Sequence, residues 1–390
     1  MAIPTRIDIM PAVSQASSLY YTGGGTNYIV ETPLGVKYLF YRDAASDPVF
    51  VKSLDGGVTW GTGTALKGIS ATQISVWYQR WTDPTGTLGD KIWVAYTDSG
   101  ADDVYIRSVD TANSDALGTE YVVFAGYSTA VGGALSIAQM IGGNLICVGC
   151  IDAGTEVFSR KSTDSGANWS DIAAGYEANA DLCIVMPGWG ADNQDAMMFY
   201  YDRTATEVSV KYFDDSGNSW SEDSLATSIS IPDHTTYSLG HISATVDHTN
   251  SKNLCAFWTA VDSANADLRV FSCSQSAQTE TAANVVLNST DDQAFAGISI
   301  FGSTWYVFYC GSSDGLQSYS DVLSVFYKTS TDAGANWSAE TNLSIMRRLV
   351  SYLFTIPICY KSTGLMTYTA NTLMYNAPLT IPRTTFQLGM

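Results

Sequence analysis

The chain has 390 residues, of which 46% are hydrophobic and 15% charged, so it has enough apolar material for a large packed core. Its 38 acidic residues outnumber its 19 Lys and Arg residues, which gives a formal net charge of −19. This balance argues against binding nucleic acid or an anionic membrane surface, because both attract basic patches. The first ten residues lack the basic region and apolar run of a signal peptide, and no apolar run is long enough to predict membrane insertion.

Seven apolar, aromatic-rich segments follow one another along the chain at intervals of about 50–60 residues, which indicates an internal repeat. They begin at Val36, Lys91, Asn144, Ala196, Lys252, Thr304 and Gly364. Each repeat predicts four short strands separated by turn residues. The apolar runs are continuous, as is typical of strands buried on both faces, and no long segment has the 3.6-residue period of a helix.

An eight-residue motif, Ser/Phe-x-Asp-x-Gly-x-x-Trp, occurs four times, beginning at Ser53, Ser162, Phe213 and Ser330. Two of the three gaps between copies are about twice the third, which predicts two slots where the motif has been lost. The motif resembles the Asp box, or BNR repeat, of the sialidase-like β-propeller superfamily. The resemblance implies an all-β fold of four-stranded antiparallel blades around an axis, a single domain spanning residues 1–390.

Seven repeats favour seven blades, although sialidases have six. Six blades remain the alternative if the residues after Met346 complete the first blade.

Each motif residue has a predicted structural role in the turn between the third and fourth strands. The Asp accepts hydrogen bonds from the turn, the Gly adopts a positive φ, and the Trp covers the hairpin. The residues assigned to these roles are Asp55, Trp60, Asp164, Gly166, Trp169, Asp215, Gly217, Trp220, Asp332, Gly334 and Trp337.

Most loops between the second and third strands open with an acid, and we expect these loops at the end of the repeats opposite the motifs. The candidate ligand-binding residues there are Arg42, Asp43, Asp98, Asp152, Asp202, Arg203 and Asp262. One interpretation is a turn cap in each loop. The other is an electronegative mouth that binds a polar ligand or a cation, with Ca²⁺ as the candidate and no other cofactor expected. Trp189, Tyr237 and Tyr319 are candidate sugar-stacking rings on the same side.

The resemblance also implies catalytic and substrate-binding residues that the sequence does not show. Sialidases use three arginines for the substrate carboxylate and a Tyr nucleophile activated by a Glu, and they carry an Arg-Ile-Pro signature. Here Ile3-Pro4-Thr5-Arg6 has the wrong order, and no Tyr/Glu pair stands out.

The function we predict is therefore a non-enzymatic β-propeller that acts as a binding or assembly module. The small fraction of charged residues and the abundance of Ser, Thr, Gly, Asn and Tyr favour a bacteriophage virion protein. We expect such a protein to be structural or to attach to host-surface glycan. Its expected partners are other virion proteins, a host glycan and further copies of itself. The alternatives are a sialidase-like exo-glycoside hydrolase and a cytoplasmic location.

Overall fold

The computed structural model describes most of the repeats but not every loop. The described residues are 7–8, 29–43, 45–56, 59–83, 85–127, 134–151, 156–189, 194–226, 242–259, 267–274, 279–280, 284–285, 293–312, 323–342, 354–355, 364–370 and 373–379. Among them, no helix has the length and apolar character needed to cross a membrane.

The described part of the chain forms thirty strands and one four-residue helix. The elements of the first half are β1 (Ile7–Asp8), β2 (Ile29–Glu31), β3 (Lys37–Arg42), β4 (Pro48–Ser53), β5 (Thr64–Ala65), β6 (Ile74–Tyr78), α1 (Gln79–Thr82), β7 (Lys91–Asp98), β8 (Asp103–Asp110), β9 (Ala116–Leu117), β10 (Tyr121–Phe124), β11 (Leu135–Gln139), β12 (Leu145–Ile151), β13 (Glu156–Ser162) and β14 (Ser170–Ala178). Those of the second half are β15 (Ala180–Pro187), β16 (Ala196–Asp202), β17 (Glu207–Asp214), β18 (Ser219–Ala226), β19 (Ile242–Asp247), β20 (Lys252–Thr259), β21 (Asp267–Ser274), β22 (Thr279–Glu280), β23 (Asn284–Val285), β24 (Gln293–Phe301), β25 (Thr304–Ser312), β26 (Leu323–Ser330), β27 (Thr341–Asn342), β28 (Phe354–Thr355), β29 (Gly364–Ala370) and β30 (Leu373–Leu379). The predicted all-β fold with scarce helix is confirmed.

The strands form six sheets that follow chain order. Four sheets hold β2–β5, β6–β10, β19–β23 and β24–β27. An eight-stranded sheet holds β11–β14 and β15–β18, joined where Ala173 of β14 meets Ser219 of β18 in the parallel sense. In the last sheet, β1 pairs antiparallel with β30 beside β29 and β28, so these C-terminal strands pair with β1 and not with β2–β5.

The core lies where successive sheets pack face to face. The first strands contact one another in order, β6 against β11, β11 against β15, β15 against β19 and β19 against β24. Second strands such as β7 and β16 are buried almost along their whole length, because their apolar residues cover both faces. Full burial of one such side chain, Phe199 for example, contributes roughly 1.5–3 kcal/mol.

Three of the four Asp-box motifs share one set of turn contacts. In the second copy, the Asp164 carboxylate accepts hydrogen bonds from the backbone N–H (2.8 Å) and side-chain amide (2.6 Å) of Asn168, and from the Ser162 hydroxyl (2.9 Å). Gly166 has φ +85° and donates its N–H to Ser162. The hydrogen bonds from Asn168 hold the pKa of Asp164 below its ordinary value. The fourth copy repeats these contacts around Asp332, and the first copy has the corresponding bonds around Asp55.

The Trp residues of these three copies pack onto the apolar cores beneath them. Trp60 and Trp169 contact the main core, and Trp337 contacts a second cluster built from β20, β21, β24 and β25. The indole N–H of Trp169 donates to the Gly166 carbonyl at 2.9 Å, which ties the end of the turn to its middle.

The third motif copy departs from the prediction. Asp214, not Asp215, accepts the turn hydrogen bonds, from Ser216 (2.9 Å) and Gly217 (3.4 Å), and Gly217 does not adopt a positive φ. The reason is the short hairpin between β17 and β18, which leaves the last residue of β17 next to the turn amides. Trp220 is buried against Phe213, with ring centroids 5.3 Å apart.

Asp215 instead joins the two halves of the eight-stranded sheet, because its carboxylate binds Lys161 Nζ of β13 at 2.7 Å. Asp115 binds Lys52 Nζ of β4 at 2.8 Å, which joins the first and second sheets. Each lysine lies one residue before the Ser of an Asp box. Both pairs are partly exposed, so each contributes at most about 1 kcal/mol and serves mainly to set the relative positions of sheets.

Replacing Gly166 with alanine is expected to lower the free energy of unfolding by about 1–2 kcal/mol, because a Cβ is unfavourable at φ +85°. Gly217→Ala is the matched control in the third copy, where φ is not positive, and we expect a smaller loss. Urea titration of both variants measures the difference. Equal losses would mean that backbone conformation does not distinguish the two turns.

An insertion of residues 79–90 links the second sheet to the sheet of β19–β23, at the end of the sheets that carries the Asp boxes. Trp81 of α1 is buried, and its backbone carbonyl lies 2.6 Å from Nε2 of His248, which follows β19. The Thr82 hydroxyl donates to the carbonyl of Gln139 at the end of β11 (2.6 Å). The insertion therefore contacts three sheets, including one that is not its neighbour.

The rest of this insertion is held by its own polar contacts. Arg80 donates two hydrogen bonds to Asp90, at 2.6 and 3.1 Å. Asp83 accepts the Thr85 hydroxyl and the backbone N–H groups of Leu88 (2.9 Å) and Thr85 (3.0 Å). Burial opposes these bonds, but together they hold the pKa of the Asp83 carboxyl below its ordinary value.

Acidification from about pH 7 to about pH 5 is expected to lower the melting temperature through His248. Burial lowers the pKa of His248 below its ordinary value, an effect that outweighs the hydrogen bond to Trp81 and the charges of Asp247 and Asp83. The unfolded chain then binds the proton more readily, so stability is full above the unfolded pKa of about 6.5 and falls as the pH drops toward the folded pKa.

The comparison is with His248→Gln, whose side-chain amide can still donate to Trp81 but does not titrate. We expect its melting temperature to change less over this pH range than that of the wild type. Parallel curves for the two proteins would show that His248 is not the titrating group.

Candidate functional site

The candidate site lies at the end of the sheets opposite the Asp boxes, where second strands connect to third strands. Five of the seven predicted residues are described there: Arg42, Asp43, Asp98, Asp202 and Arg203. Asp152 and Asp262 lie outside the described residues.

Each described aspartate accepts two backbone N–H groups of its own loop through Oδ1. The donors are Ala45 (2.8 Å) and Asp47 (2.9 Å) for Asp43, Gly100 (2.9 Å) and Ala101 (3.3 Å) for Asp98, and Thr204 (2.7 Å) and Ala205 (3.0 Å) for Asp202. This is the geometry of an Asx turn, in which a short acidic side chain satisfies backbone donors. The contacts therefore correspond to the turn-cap interpretation in all three loops.

The two predicted arginines have different environments. The Arg42 guanidinium donates to the Ala71 carbonyl at 2.6 Å, which ties β3 to the segment that precedes β6. Arg203 lies in the turn after β16, where its backbone N–H donates to the Asn179 carbonyl at 2.9 Å. Arg42 is thus engaged in joining the first and second sheets.

One predicted residue, Asp202, converges with two carboxylates that the sequence analysis missed. Asp202, Glu207 and Glu222 each place an oxygen within 4.8 Å of the others. Asp202 and Glu207 face each other across β16 and β17, and Glu222 comes from β18. Three carboxylate oxygens at this spacing are a ligand set suited to a hard divalent cation. A signal was present in the sequence, because Glu207 opens the third strand just after the turn that Asp202 begins.

A buried lysine supplies positive charge beside this cluster. The Lys211 side chain is 3% exposed, and its Nζ contacts the Ala174 carbonyl (3.0 Å), the Glu177 carboxylate and, at 3.8 Å, the carboxylate of Glu222. It links β14 to β17 and β18, across the junction of the eight-stranded sheet.

Three tyrosine–glutamate pairs cross their sheets from the second strand to the fourth-strand side. The tyrosine hydroxyl donates to the glutamate in Tyr96–Glu120 (2.5 Å), Tyr200–Glu222 and Tyr309–Glu340 (2.5 Å). Burial, and after it the hydrogen bond to glutamate, raises the pKa of all three tyrosines above the ordinary value. The raised pKa keeps each hydroxyl protonated at neutral pH. The recurrence in three sheets also indicates a packing role.

Trp189 lies on the other side from the predicted one. It lies in the connection between β15 and β16, at the Asp-box end of the sheets. Its indole N–H donates to Asn253 (3.2 Å), and its ring meets that of His248 edge to face at 5.0 Å. The proposed sugar-stacking role on the loop side is therefore wrong for Trp189, while Tyr237 and Tyr319 lie outside the described residues.

The sequence matches no protein-family model and no curated protein. The structure is similar to a polysaccharide lyase, an ulvan lyase bound to -[GlcA(1-4)Rha3S]-, with a TM-score of 0.60, 9% identity and coverage of 95% of both chains. A second ulvan lyase structure gives a TM-score of 0.57 at 10% identity, again over 95% of both chains. A Trypanosoma rangeli sialidase complex has a TM-score of 0.47 at 14% identity, over 80% of this chain and 56% of that one. The similarity to the lyases shows a shared, β-propeller-like fold and says nothing about activity.

Proposed function

We propose that this chain is a non-catalytic, glycan-binding β-propeller of seven four-stranded blades. The blade number is supported by the repeat and by the sheet order, since the eight-stranded sheet divides into β11–β14 and β15–β18 at one short parallel contact. The strand β1 then completes the seventh blade beside β30.

The observation that carries the glycan assignment is the similarity over 95% of both chains to a lyase bound to a polysaccharide fragment. We expect carbohydrate to bind at the end of the sheets opposite the Asp boxes, where this chain has Asp98, Asp202 and Glu207. The similarity is to enzymes, so a carbohydrate-active enzyme is the second candidate.

The chemistry of the described residues favours binding without catalysis. The carboxylates of Asp43, Asp98 and Asp202 accept backbone hydrogen bonds in their own turns. The tyrosines that face glutamates have raised pKa values. Among the described residues, the turn carboxylates are held in their own loops and the tyrosine hydroxyls stay protonated, which favours binding.

Affinity electrophoresis through gels that contain single polysaccharides tests the proposal, with reducing-end release and unsaturated-product absorbance measured on the same polymers. We expect retardation in at least one gel and no product. Product formation would replace this proposal with the enzyme candidate, for which hydrolysis of a fluorogenic sialoside, lost on Arg203→Ala, would identify the sialidase-like alternative. Migration unaffected by every polymer would contradict glycan binding.

Two further parts of the proposal rest on the sequence alone. A virion location predicts that the chain is found on phage particles by electron microscopy of its source, and a free monomer would contradict it. Ca²⁺ binding predicts that a chelator lowers the melting temperature of the wild type and has no effect on an Asp98→Asn, Asp152→Asn double variant.

A further inference from the structure

Aromatic rings form a continuous run from the end of β10 in the second sheet to β14 of the eight-stranded sheet. Tyr127, which follows β10, meets Phe158 of β13 with ring centroids 4.8 Å apart, and Phe158 meets Tyr176 of β14 at 5.1 Å. Tyr176 is 48% exposed, and the other two rings are partly exposed. We call Tyr127, Phe158 and Tyr176 the aromatic rim.

Polar groups that accept hydrogen bonds border the aromatic rim. The Glu156 carboxylate accepts the Tyr176 hydroxyl at 2.7 Å and remains partly exposed. The Arg160 guanidinium lies over the Tyr127 ring, 6.0 Å from its centroid. It is bonded to Asp171 (2.7 Å) and to the Val123 carbonyl (2.7 Å), so its charge is already paired. The Asp171 side chain is 80% exposed. The charge that the rim presents to solvent is therefore negative.

The rim lies at the same end of the sheets as the candidate site. Glu156 is the first residue of β13, directly after the connection between the second and third strands. Residues Glu156 and Ala178 are paired across β13 and β14, which places Tyr176 two residues from that end. A polymer that binds across the end of the sheets opposite the Asp boxes would thus contact the aromatic rim at the edge of that surface.

The equivalent position in the second sheet is built differently. In that sheet, Val122 of β10 corresponds to Tyr176 of β14. Val122 pairs with Tyr105 of β8, and Tyr176 pairs with Phe158 of β13. The Tyr105 ring is covered by Lys67 Nζ, 3.3 Å from its centroid. The second sheet thus has an aliphatic side chain at the outer edge and an ammonium over the ring, so an exposed aromatic edge is not a requirement of the repeat.

We propose that the aromatic rim is a binding site for a neutral polysaccharide chain, an inference that rests on the proposed glycan-binding function. Exposed aromatic rings present apolar faces to the C–H face of a sugar, and carboxylates such as Glu156 accept hydrogen bonds from its hydroxyls. The bordering carboxylates and the net charge of −19 disfavour uronate or sulfated chains.

The test measures retardation in native gels containing mixed-linkage β-glucan or galactomannan as neutral probes, and polygalacturonate as the anionic probe. Tyr176→Ala is expected to weaken binding to the retarding neutral polymer by about tenfold, equivalent to about 1.4 kcal/mol, because it removes the most exposed ring of the aromatic rim. Val122→Ala is the matched control at the equivalent exposed position and is expected to bind like the wild type. Tyr176→Phe keeps the ring and is expected to retain most of the binding. Far-ultraviolet circular dichroism and melting temperature establish that each variant is folded.

Each outcome has one meaning. Retardation of the wild type that Tyr176→Ala weakens and Val122→Ala does not supports the aromatic rim. Neutral-polymer binding that Tyr176→Ala leaves unchanged overturns the rim and leaves the proposed glycan-binding function standing. Binding to polygalacturonate alone overturns the neutral ligand class. Absence of retardation in every gel overturns the proposed function and the rim with it.

Discussion

Replacing Trp81 with alanine is expected to lower the free energy of unfolding by about 3–5 kcal/mol, at the upper end for a core substitution. The ring is 2% exposed and meets Trp77 edge to face at 5.4 Å, so its removal leaves a large cavity beneath the insertion of residues 79–90. The backbone carbonyl that His248 contacts also becomes less firmly held, so the link between the second sheet and the sheet of β19–β23 weakens as well. Guanidinium titration followed by circular dichroism measures the loss.

Leu34→Ala is the control for Trp81→Ala, because Leu34 is 91% exposed in the turn between β2 and β3 and its loss is expected to change stability by less than about 0.5 kcal/mol. A Trp81→Ala loss as small as that of Leu34→Ala would mean that the insertion is not packed against the sheets. Acrylamide quenching of the remaining tryptophans gives a second readout, since Trp77 is expected to become more accessible.

The fold was predictable because its signals are local and repeated. Continuous apolar segments recur seven times, and burial on both faces demands that pattern in every blade-like sheet. The hydrogen bonds of the turn were equally predictable where the motif is intact, as at Asp164 and Asp332. The prediction was wrong for Asp215, because a shorter hairpin places Asp214 next to the turn amides instead. Loop length changes which carboxylate reaches the amides, and the motif does not encode that length.

The contacts of the insertion at α1 and the place of Glu222 in the carboxylate cluster could not be predicted, because both depend on how separate segments pack and pair. Nothing in the residues around Trp81 indicates a contact with His248, which lies 167 residues further along the chain. Glu222 reaches Asp202 and Glu207 only because β18 pairs with β17 in one register. The same limit placed Trp189 at the wrong end, since its connection was assigned to the wrong pair of strands.

Replacing Lys211 with methionine is expected to lower the free energy of unfolding by about 2–4 kcal/mol, because it removes the buried partner of two partly exposed carboxylates and leaves their charges uncompensated. The Lys211 side chain is 3% exposed, while those of Glu177 and Glu222 are 26% and 38% exposed, which reduces the loss below that of a fully buried pair. The matched control is Lys52→Met, whose pair with Asp115 is partly exposed and is expected to contribute at most about 1 kcal/mol.

The Lys211→Met variant also tests whether the cluster of Asp202, Glu207 and Glu222 has an affinity for cations. In the wild type the ammonium of Lys211 lies 3.8 Å from Glu222 and offsets part of the negative charge. Without it, less positive charge lies beside these three carboxylates, so a divalent cation is expected to bind them more tightly. Ca²⁺ is therefore expected to raise the melting temperature of Lys211→Met more than that of the wild type, and a further Glu222→Gln change is expected to remove the difference. Equal Ca²⁺ responses in all three proteins would show that the cluster is a set of separately hydrogen-bonded carboxylates with no common ligand.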